Sequence, residues 1–147
     1  MVKLENGFKL RQPWVSDVVQ GKLKYLVRSI STKKRERVAV IVAKRIDGIW
    51  IENAKTKEIE EIKNKVGAIG SVEIKDCITV MTENVKDELI KLAGSKYWDY
   101  YPKYLIPNEK KIKKVHIWIL DKAKEWNKPK PVKVGGINWY KIELEDR

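Results

Sequence analysis

Apolar and polar residues alternate in several short stretches of the chain, and alternation with a period of two predicts β-strands. These stretches are 8–11, 23–30, 68–81, 115–120 and 138–144. Residues 37–43 are almost continuously apolar, which is typical of a strand buried on both faces near the middle of a sheet. A further short strand is predicted over 46–51.

Other segments carry apolar residues at spacings of three and four, which predicts amphipathic helices. They cover 14–20, 56–66 and 83–93. Glycines at 21, 67 and 94 follow these three segments, at the position where helices commonly end. The aromatic segment 97–107 is predicted to be a loop or a short helix.

Six or so strands with two or three short helices predict a mixed α+β fold. The connections are mostly too short for a doubly wound parallel sheet, which needs a covering helix at each crossover. A length of 147 residues corresponds to about one domain. We therefore expect one domain, 1–147, built as a curled sheet or small barrel flanked by short helices.

Basic residues outnumber acidic ones by 32 to 20, so the formal net charge is +12. Residues 1–50 carry +8, residues 51–100 carry −2, and residues 101–147 carry +6. If the two basic ends meet in the fold, they form one face suited to a phosphate backbone or an anionic membrane surface. Lysine outnumbers arginine by 26 to 6, which is a thermophile-like composition, but ion-pair enrichment alone predicts balanced charge.

The composition also excludes several kinds of site. Cys77 is the only cysteine and His116 the only histidine, so neither an internal disulfide nor a zinc site built from Cys and His is available. A Cys-His nucleophilic pair is arithmetically available, but both residues lie in apolar alternating runs, and we interpret them as core or strand residues. We expect no metal and no cofactor. No window approaches ~18 apolar residues and 1–7 contains no apolar signal core, so we expect a cytoplasmic protein.

The motif Arg11-Gln12-Pro13-Trp14, followed by Gly21 and Arg28, resembles the ASCH family, whose members are small domains of the PUA-like superfamily. The family pattern continues after a short helix as G-x-K-x-x-E-x-R and a serine, and here Gly21 and Arg28 hold its ends. Segments 37–44, 70–77 and 131–139 resemble later family segments in the same order. The resemblance covers most of the chain. It implies a small mixed β-barrel of PUA-like type and an RNA or modified-nucleotide ligand.

The chain departs from the family pattern at Leu23 and Leu26, which stand where the motif has its lysine and glutamate. Some family members are acetylcytidine amidohydrolases, and those two positions take part in their catalysis. A leucine can neither transfer a proton nor attack a carbonyl. The chain therefore offers no catalytic residue by resemblance. An enzyme would need another acid or base, and the available groups are Lys24, Tyr25, Glu73 and Asp76.

Arginine and lysine side chains near these motifs are suited to binding phosphates, and tryptophan and tyrosine rings are suited to stacking on unpaired bases. The predicted nucleic-acid-binding residues are Arg11, Gln12, Lys24, Arg28, Ser29, Lys33, Lys34, Arg35, Arg37, Lys130 and Lys133. The candidates for stacking are Trp14, Trp98, Tyr101 and Trp139. Packing in the core is the alternative for these rings. A charge on an apolar strand, as at Arg28, needs an internal acid or a ligand.

The sequence therefore predicts an RNA-binding module whose cleft is lined by Arg28 with Arg11 and Lys24. Phosphates are expected at the rim, held by Lys33, Lys34, Arg35 and Arg37. A hydrolase acting on modified nucleosides or RNA is one alternative. A protein-interaction accessory domain, whose basic face meets an acidic partner, is another. The sequence leaves open the oligomeric state, and it leaves open whether the two basic ends meet.

Overall fold

The computed structural model describes residues 3–43, 46–63, 65–132 and 139–145, and these form a mixed α+β fold, as predicted. The strands are β1 Lys3–Leu10, β2 Tyr25–Arg28, β3 Arg37–Val42, β4 Ala68–Met81, β5 Lys114–Lys130 and β6 Tyr140–Glu145. The helices are α1 Trp14–Val19, α2 Gly48–Asn53, α3 Thr56–Lys63, α4 Val85–Ala93 and α5 Ser95–Tyr100. Two 3₁₀ turns lie at Thr82–Asn84 and Lys103–Leu105.

The strands follow one another in the hydrogen-bonded order β2-β5-β4-β3-β1-β6. β1 is parallel to β3, whereas the β1–β6, β2–β5 and β3–β4 pairs are antiparallel. Among the described strands the ladder has two different ends, β2 and β6, so the sheet is open. Of the two predicted alternatives, a curled sheet or a small barrel, the small barrel is therefore wrong.

The edge strand β2 shows a physical reason why the sheet does not continue past it. The Tyr97 hydroxyl accepts a hydrogen bond from the backbone N–H of Tyr25 at 3.0 Å, and the Tyr101 hydroxyl accepts one from Val27 N–H at 2.9 Å. Both donors lie on the side of β2 that faces away from β5. A strand edge whose outward N–H groups are already bonded is a poor template for another strand.

The chain divides into two compact units, here called unit 1 and unit 2. Unit 1 consists of Met1–Lys22, Glu36–Glu73 and Asp121–Arg147, and unit 2 consists of Leu23–Arg35 and Ile74–Leu120. The long strands β4 and β5 each contribute residues to both units.

The core of unit 1 lies around β3, whose central residues 38–41 are at most 3% exposed. This burial confirms the prediction of a central strand, since β3 lies between β4 and β1. Leu4, Ala39, Ile41, Ala68 and Trp126 form one hydrophobic cluster, against which Val132 and Leu144 pack.

The strand predicted over 46–51 is wrong, because Gly48–Asn53 forms helix α2. Asp47 precedes this helix, and its Oδ1 accepts a hydrogen bond from the backbone N–H of Trp50 at 3.0 Å. An aspartate in this position satisfies one of the unpaired N–H groups of a helix N-terminus. This capping bond outweighs the short alternation of apolar residues that suggested a strand.

The core of unit 2 contains residues of β2, the first part of β5 and helix α4. Its fully buried side chains include Leu26, Leu89, Ile117 and Trp118. Helix α4 confirms the helix predicted over 83–93, and α5 with the following 3₁₀ turn confirms the short helical structure predicted in the aromatic segment. In the described part of the chain, no helix has the length and apolar character needed to cross a membrane.

Candidate nucleic-acid interface

Arg28 is the last residue of β2, and in unit 2 it lies opposite His116 of β5. Its guanidinium carbon is 4.6 Å from the centre of the Trp118 ring, which is within the range of a cation–π contact. Trp118 is fully buried, and its Nε1 donates a hydrogen bond to the carbonyl oxygen of Ile30 at 2.9 Å. The half-buried Arg28 therefore rests on an aromatic surface that is itself held in place.

Burial lowers the pKa of the Arg28 guanidinium, and the neighbouring Tyr101 hydroxyl acts in the opposite direction. Arginine nevertheless keeps its charge in proteins. Because part of its hydration is removed, such a cation interacts more strongly with an anion than a cation in bulk water does. Arg28 is thus suited to hold a phosphate or a carboxylate near the sheet surface.

Tyr97 and Tyr101 of unit 2 serve the structure of β2. The Tyr97 hydroxyl also donates to the carbonyl oxygen of Tyr25 at 2.6 Å, so it bonds both backbone groups of that residue. Burial raises the pKa of both tyrosines, in the case of Tyr101 to about 12. Tyr101 is 2% exposed, so its ring offers no face to a nucleobase, and the packing alternative for this residue fits the structure.

Trp98 of α5 is half-buried and is the more accessible of the two stacking candidates in unit 2. The ammonium groups of Lys103 and Lys86 lie 4.8 Å and 6.0 Å from the centre of its ring. The Lys103 ammonium also donates to the carbonyl oxygens of Trp98 and Asp99. Both ammonium groups lie over the ring, so a base that stacks on the same ring face would have to displace them.

The loop that follows β2 is organised by Arg35, whose guanidinium bonds within unit 2. Its Nη1 donates to the carbonyl oxygens of Thr32 and Lys34 at 3.0 Å and 2.9 Å, and its Nη2 lies 3.3 Å from Oδ1 of Asp76. Thr32 is buried and its Oγ1 accepts from the backbone N–H of Lys34. These bonds shape the loop, in which Ser29 and Lys33 are exposed and Lys34 is half-exposed. Lys24, which precedes β2, is also exposed.

Unit 2 carries most of the positive charge of the chain. Residues 23–35 contain five cations and no acid, and residues 74–120 contain nine cations and six acids, so the formal charge of this unit is +8 of the total +12. The pairing of β2 with β5 places basic residues from the first third and from the last third of the sequence in the same unit. Part of each basic end of the chain therefore lies in unit 2, and that the two ends form one basic face stays a prediction.

The motif residues Gln12 and Trp14 lie in unit 1 and help to build the start of α1. Gln12 is 1% exposed, and its Oε1 accepts hydrogen bonds from the backbone N–H and the Oγ of Ser16 at 3.2 Å and 2.8 Å. Trp14 is half-buried, and its Nε1 donates to Oδ2 of Asp47 at 3.4 Å. Of the three motif residues Arg11, Gln12 and Trp14, only Arg11 is exposed.

Arg37 of unit 1 is held by protein groups. Its Nη1 donates to Oγ of Ser71 and its Nη2 to the carbonyl oxygen of Lys122, both at 2.8 Å, and Glu73 lies 3.8 Å away. Its side chain is only 18% exposed. These bonds connect β3 with β4 and β5. Arg37 therefore has a structural role, which the sequence pattern did not indicate.

The remaining candidates in unit 1 contact aromatic rings or lie outside the described residues. The Lys130 ammonium lies 4.3 Å from the centre of the Trp126 ring. Trp139 packs edge-on against Phe8 with ring centres 6.1 Å apart, which fits the packing alternative for this tryptophan. Lys133 lies outside the residues that the structure describes.

The positions at which the chain departs from the family motif are in the core. Leu23 and Leu26 are 1% and 2% exposed. Among the groups available for an alternative catalyst, Glu73 lies within 3.8 Å of both Arg37 and Lys122, and Asp76 pairs with Arg35. Within the described ranges, no group of three His, Cys, Asp or Glu side chains could hold a metal ion.

The sequence indicated that His116 is a core or strand residue, and it lies in strand β5, where its side chain is half-exposed. Its Nδ1 lies 2.9 Å from Oγ1 of Thr79, an exposed residue of β4. The alternation over 115–120 contained a signal for this, because it places His116 and Trp118 together on the face opposite to Val115 and Ile117. The sequence did not show that Arg28 shares this face.

No protein-family model and no curated protein matches the sequence. Two solved structures from Zymomonas mobilis are similar in fold. One is the crystal structure of ASCH, with 12% identity over 82% of this chain and 69% of that chain and a TM-score of 0.51. The other is a serine-to-alanine mutant of ZmASCH, with 13% identity over 82% of this chain and 70% of that chain and a TM-score of 0.51. The chain therefore has an ASCH-like fold, which agrees with the resemblance seen in its motifs.

Proposed function

We propose that this chain is an RNA-binding module and that the main phosphate-contacting surface lies in unit 2. The observation that carries the proposal is the β2–β5 pair, which joins two basic segments in one unit of charge +8. Such a concentration of cations suits the phosphate backbone. The ASCH-like fold supports RNA as the nucleic acid, since the family resemblance implies an RNA or modified-nucleotide ligand.

Within this surface Arg28 holds one phosphate. Exposed lysines from the two basic segments, such as Lys33 in 24–35 and Lys113 in 110–114, contact neighbouring phosphates. The planar guanidinium can donate two parallel hydrogen bonds to one phosphate, which fixes its orientation. Lysine acts as a mobile point charge and adds affinity without sequence preference. Trp98 is placed to stack on an unpaired base of a single strand.

The experiment is fluorescence anisotropy with labelled single-stranded RNA, hairpin RNA and matched DNA, each measured over a series of salt concentrations. The double variant Lys33→Ala/Lys113→Ala removes one exposed cation from each segment. The double variant Lys55→Ala/Lys57→Ala is the matched control, because it removes two exposed cations from unit 1. For single strands we expect the salt slope to fall by about 0.7 for each phosphate that is no longer neutralised, thus by about 1.4 in the first variant only.

Arg28→Ala is expected to weaken RNA binding more than either lysine of the pair does by itself, because its phosphate is held by a fixed fork. No RNA binding of the wild-type protein at low salt would overturn the proposal. If both double variants lose the same RNA affinity, binding depends only on the total charge of the protein. That result would overturn the assignment of the phosphate-contacting surface to unit 2.

A hydrolase acting on modified nucleosides is not proposed. The two motif positions that the family uses for catalysis are buried leucines, and the carboxylates of Glu73 and Asp76 are paired with basic side chains.

A further inference from the structure

We propose that Arg28, His116 and Thr79 together form one phosphate subsite in unit 2, and that the subsite binds more tightly when His116 is protonated. This inference rests on the proposed function, and it names two residues and a pH dependence that the function does not require. The three residues lie on three neighbouring strands, β2, β5 and β4.

The backbone register places Arg28 and His116 on the same face of the sheet. They are direct partners in the antiparallel β2–β5 pair, and direct partners point to the same side with Cβ atoms about 5 Å apart. The hydrogen bond between Thr79 and His116 extends this row of side chains to β4. The row therefore crosses three strands without a change of face.

The row lies where this face becomes accessible to solvent. Along β5, Trp118 is fully buried, His116 is half-exposed and Lys114 is exposed. The Arg28 guanidinium packs on Trp118, at the buried end of the row. The half-exposed His116 and the exposed Thr79 form its solvent-accessible end. An anion arriving from solvent would reach His116 and Thr79 first and the guanidinium behind them.

The hydrogen bond to Thr79 engages Nδ1 of His116, so the proposal assigns Nε2 to the ligand. When the imidazole is charged, Nδ1–H donates to Oγ1 of Thr79, and Nε2–H can donate to a phosphate oxygen. The Thr79 hydroxyl, which now accepts, keeps its own proton for a second phosphate oxygen. Binding thus combines one charge-assisted donor, one neutral donor and the arginine fork.

The charged surroundings of His116 make proton uptake depend on the ligand. In the described part of the chain, register and alternation place Arg28 of β2, Thr79 and Cys77 of β4, and Lys114 of β5 around it. None of these four side chains is a carboxylate, and Arg28 and Lys114 are cations. A phosphate bound between them would favour the protonated imidazole, so anion binding and proton binding are coupled.

The test measures the affinity for a labelled oligouridylate by fluorescence anisotropy at pH 5.5 and pH 8, over a series of salt concentrations. This probe is chosen because its phosphodiesters and bases gain no proton in that range. For the wild-type protein we expect a salt slope that is larger by about 0.7 at pH 5.5, since one more phosphate is neutralised, and an affinity at 0.1 M salt that is about fivefold higher.

His116→Gln keeps a hydrogen-bonding side chain but cannot gain a proton, so the difference between the two pH values should disappear. Thr79→Val keeps the shape of threonine without its hydroxyl and should weaken binding at both pH values. Lys57→Gln, which removes a cation from unit 1, is the control and should leave the pH difference unchanged. Thermal unfolding of each variant verifies that it is folded at both pH values.

The outcomes separate the two proposals. Loss of the pH difference in His116→Gln, together with its persistence in Lys57→Gln, supports the subsite. A wild-type protein that binds RNA with the same pH difference as His116→Gln would overturn the subsite and leave the proposed function standing. Absence of RNA binding by the wild-type protein at either pH would overturn the proposed function itself.

Discussion

Arg28 at the end of β2 lies directly opposite His116 of β5, and its guanidinium packs on Trp118, two residues further along that strand. The arginine that the sequence motif indicated and the single histidine of the chain are thereby neighbours on one sheet face. The pairing joins segments from the first and last thirds of the chain. It makes unit 2 the more basic part of the molecule.

Replacing Arg37 should affect stability rather than RNA binding. Arg37→Met keeps the length of the side chain but removes the donors that bond Ser71 and Lys122 at 2.8 Å. We expect a loss of about 1–3 kcal/mol in the free energy of unfolding, measured with urea, and a change in RNA affinity of less than about twofold. A tenfold loss of affinity in the folded variant would instead make Arg37 part of the interface.

Tyr101 should make the stability of the protein fall at alkaline pH. Its pKa is raised to about 12 by burial, against about 10 in an unfolded chain. Between these values the unfolded state loses its proton while the folded state keeps it, so the folded state loses stability as the pH rises and the effect is absent below pH 10. At pH 11.5 this amounts to about 2 kcal/mol.

Comparison with Tyr101→Phe isolates this group, because deprotonation of the remaining residues affects both proteins alike. At pH 8 the variant should be the less stable protein, by about 1 kcal/mol, since the backbone N–H of Val27 loses its acceptor. By pH 11.5 the Tyr101→Phe variant should be more stable than the wild-type protein. A stability difference that is the same at both pH values would contradict the assignment.

Gly70→Ala should destabilise unit 1. A Cβ at this position would overlap the carbonyl oxygen of Lys124 and come within 2.7 Å of a Val19 methyl group, so α1 and β5 would have to move apart. We expect a loss of about 1–3 kcal/mol in chemical denaturation. Gly48→Ala is the control, because no atom lies within 4 Å of its Cβ and α2 should gain up to about 1 kcal/mol. Equal stabilities of the two variants would refute this packing.

Restoring the family motif should unfold the protein rather than create an enzyme. Leu23→Lys/Leu26→Glu places two charges at positions that are 1% and 2% exposed. Burial of charges without a prepared site should reduce the free energy of unfolding by at least about 3 kcal/mol. Lys24→Glu changes an exposed neighbour and should be tolerated. A folded double variant that hydrolyses acetylcytidine would show that the motif positions are still close to a functional site.

Most secondary structure could be predicted because its periodicity is local. The alternation over 68–81 coincides with β4, and the apolar run over 37–43 with β3. The second half of β5 could not be predicted, because residues 121–125 are all exposed and show no apolar period. Helix α2 was missed because one capping bond from Asp47 outweighed a short alternation.

The candidate site was predictable only in part. The position of Arg28 on an apolar strand already required a special environment, and the structure supplies the Trp118 ring. In contrast, the partners of Arg35 and Arg37 come from distant parts of the sequence, so no local pattern distinguishes these arginines from cations that face solvent. The half-exposure of His116 could not be predicted for the same reason, since it depends on how much of the sheet face is covered.

The sequence by itself determined the mixed α+β class, most strands and helices, the excess of positive charge and the two leucines at 23 and 26, because these follow from residue type and from spacing along the chain. Only the tertiary structure decided that the sheet stays open, that β2 pairs with β5, and that Arg28 and His116 share one face. Strand order and register depend on which distant backbone groups bond one another. The hydroxyls of Tyr97 and Tyr101 that occupy the outer edge of β2 come from more than 70 residues away along the chain.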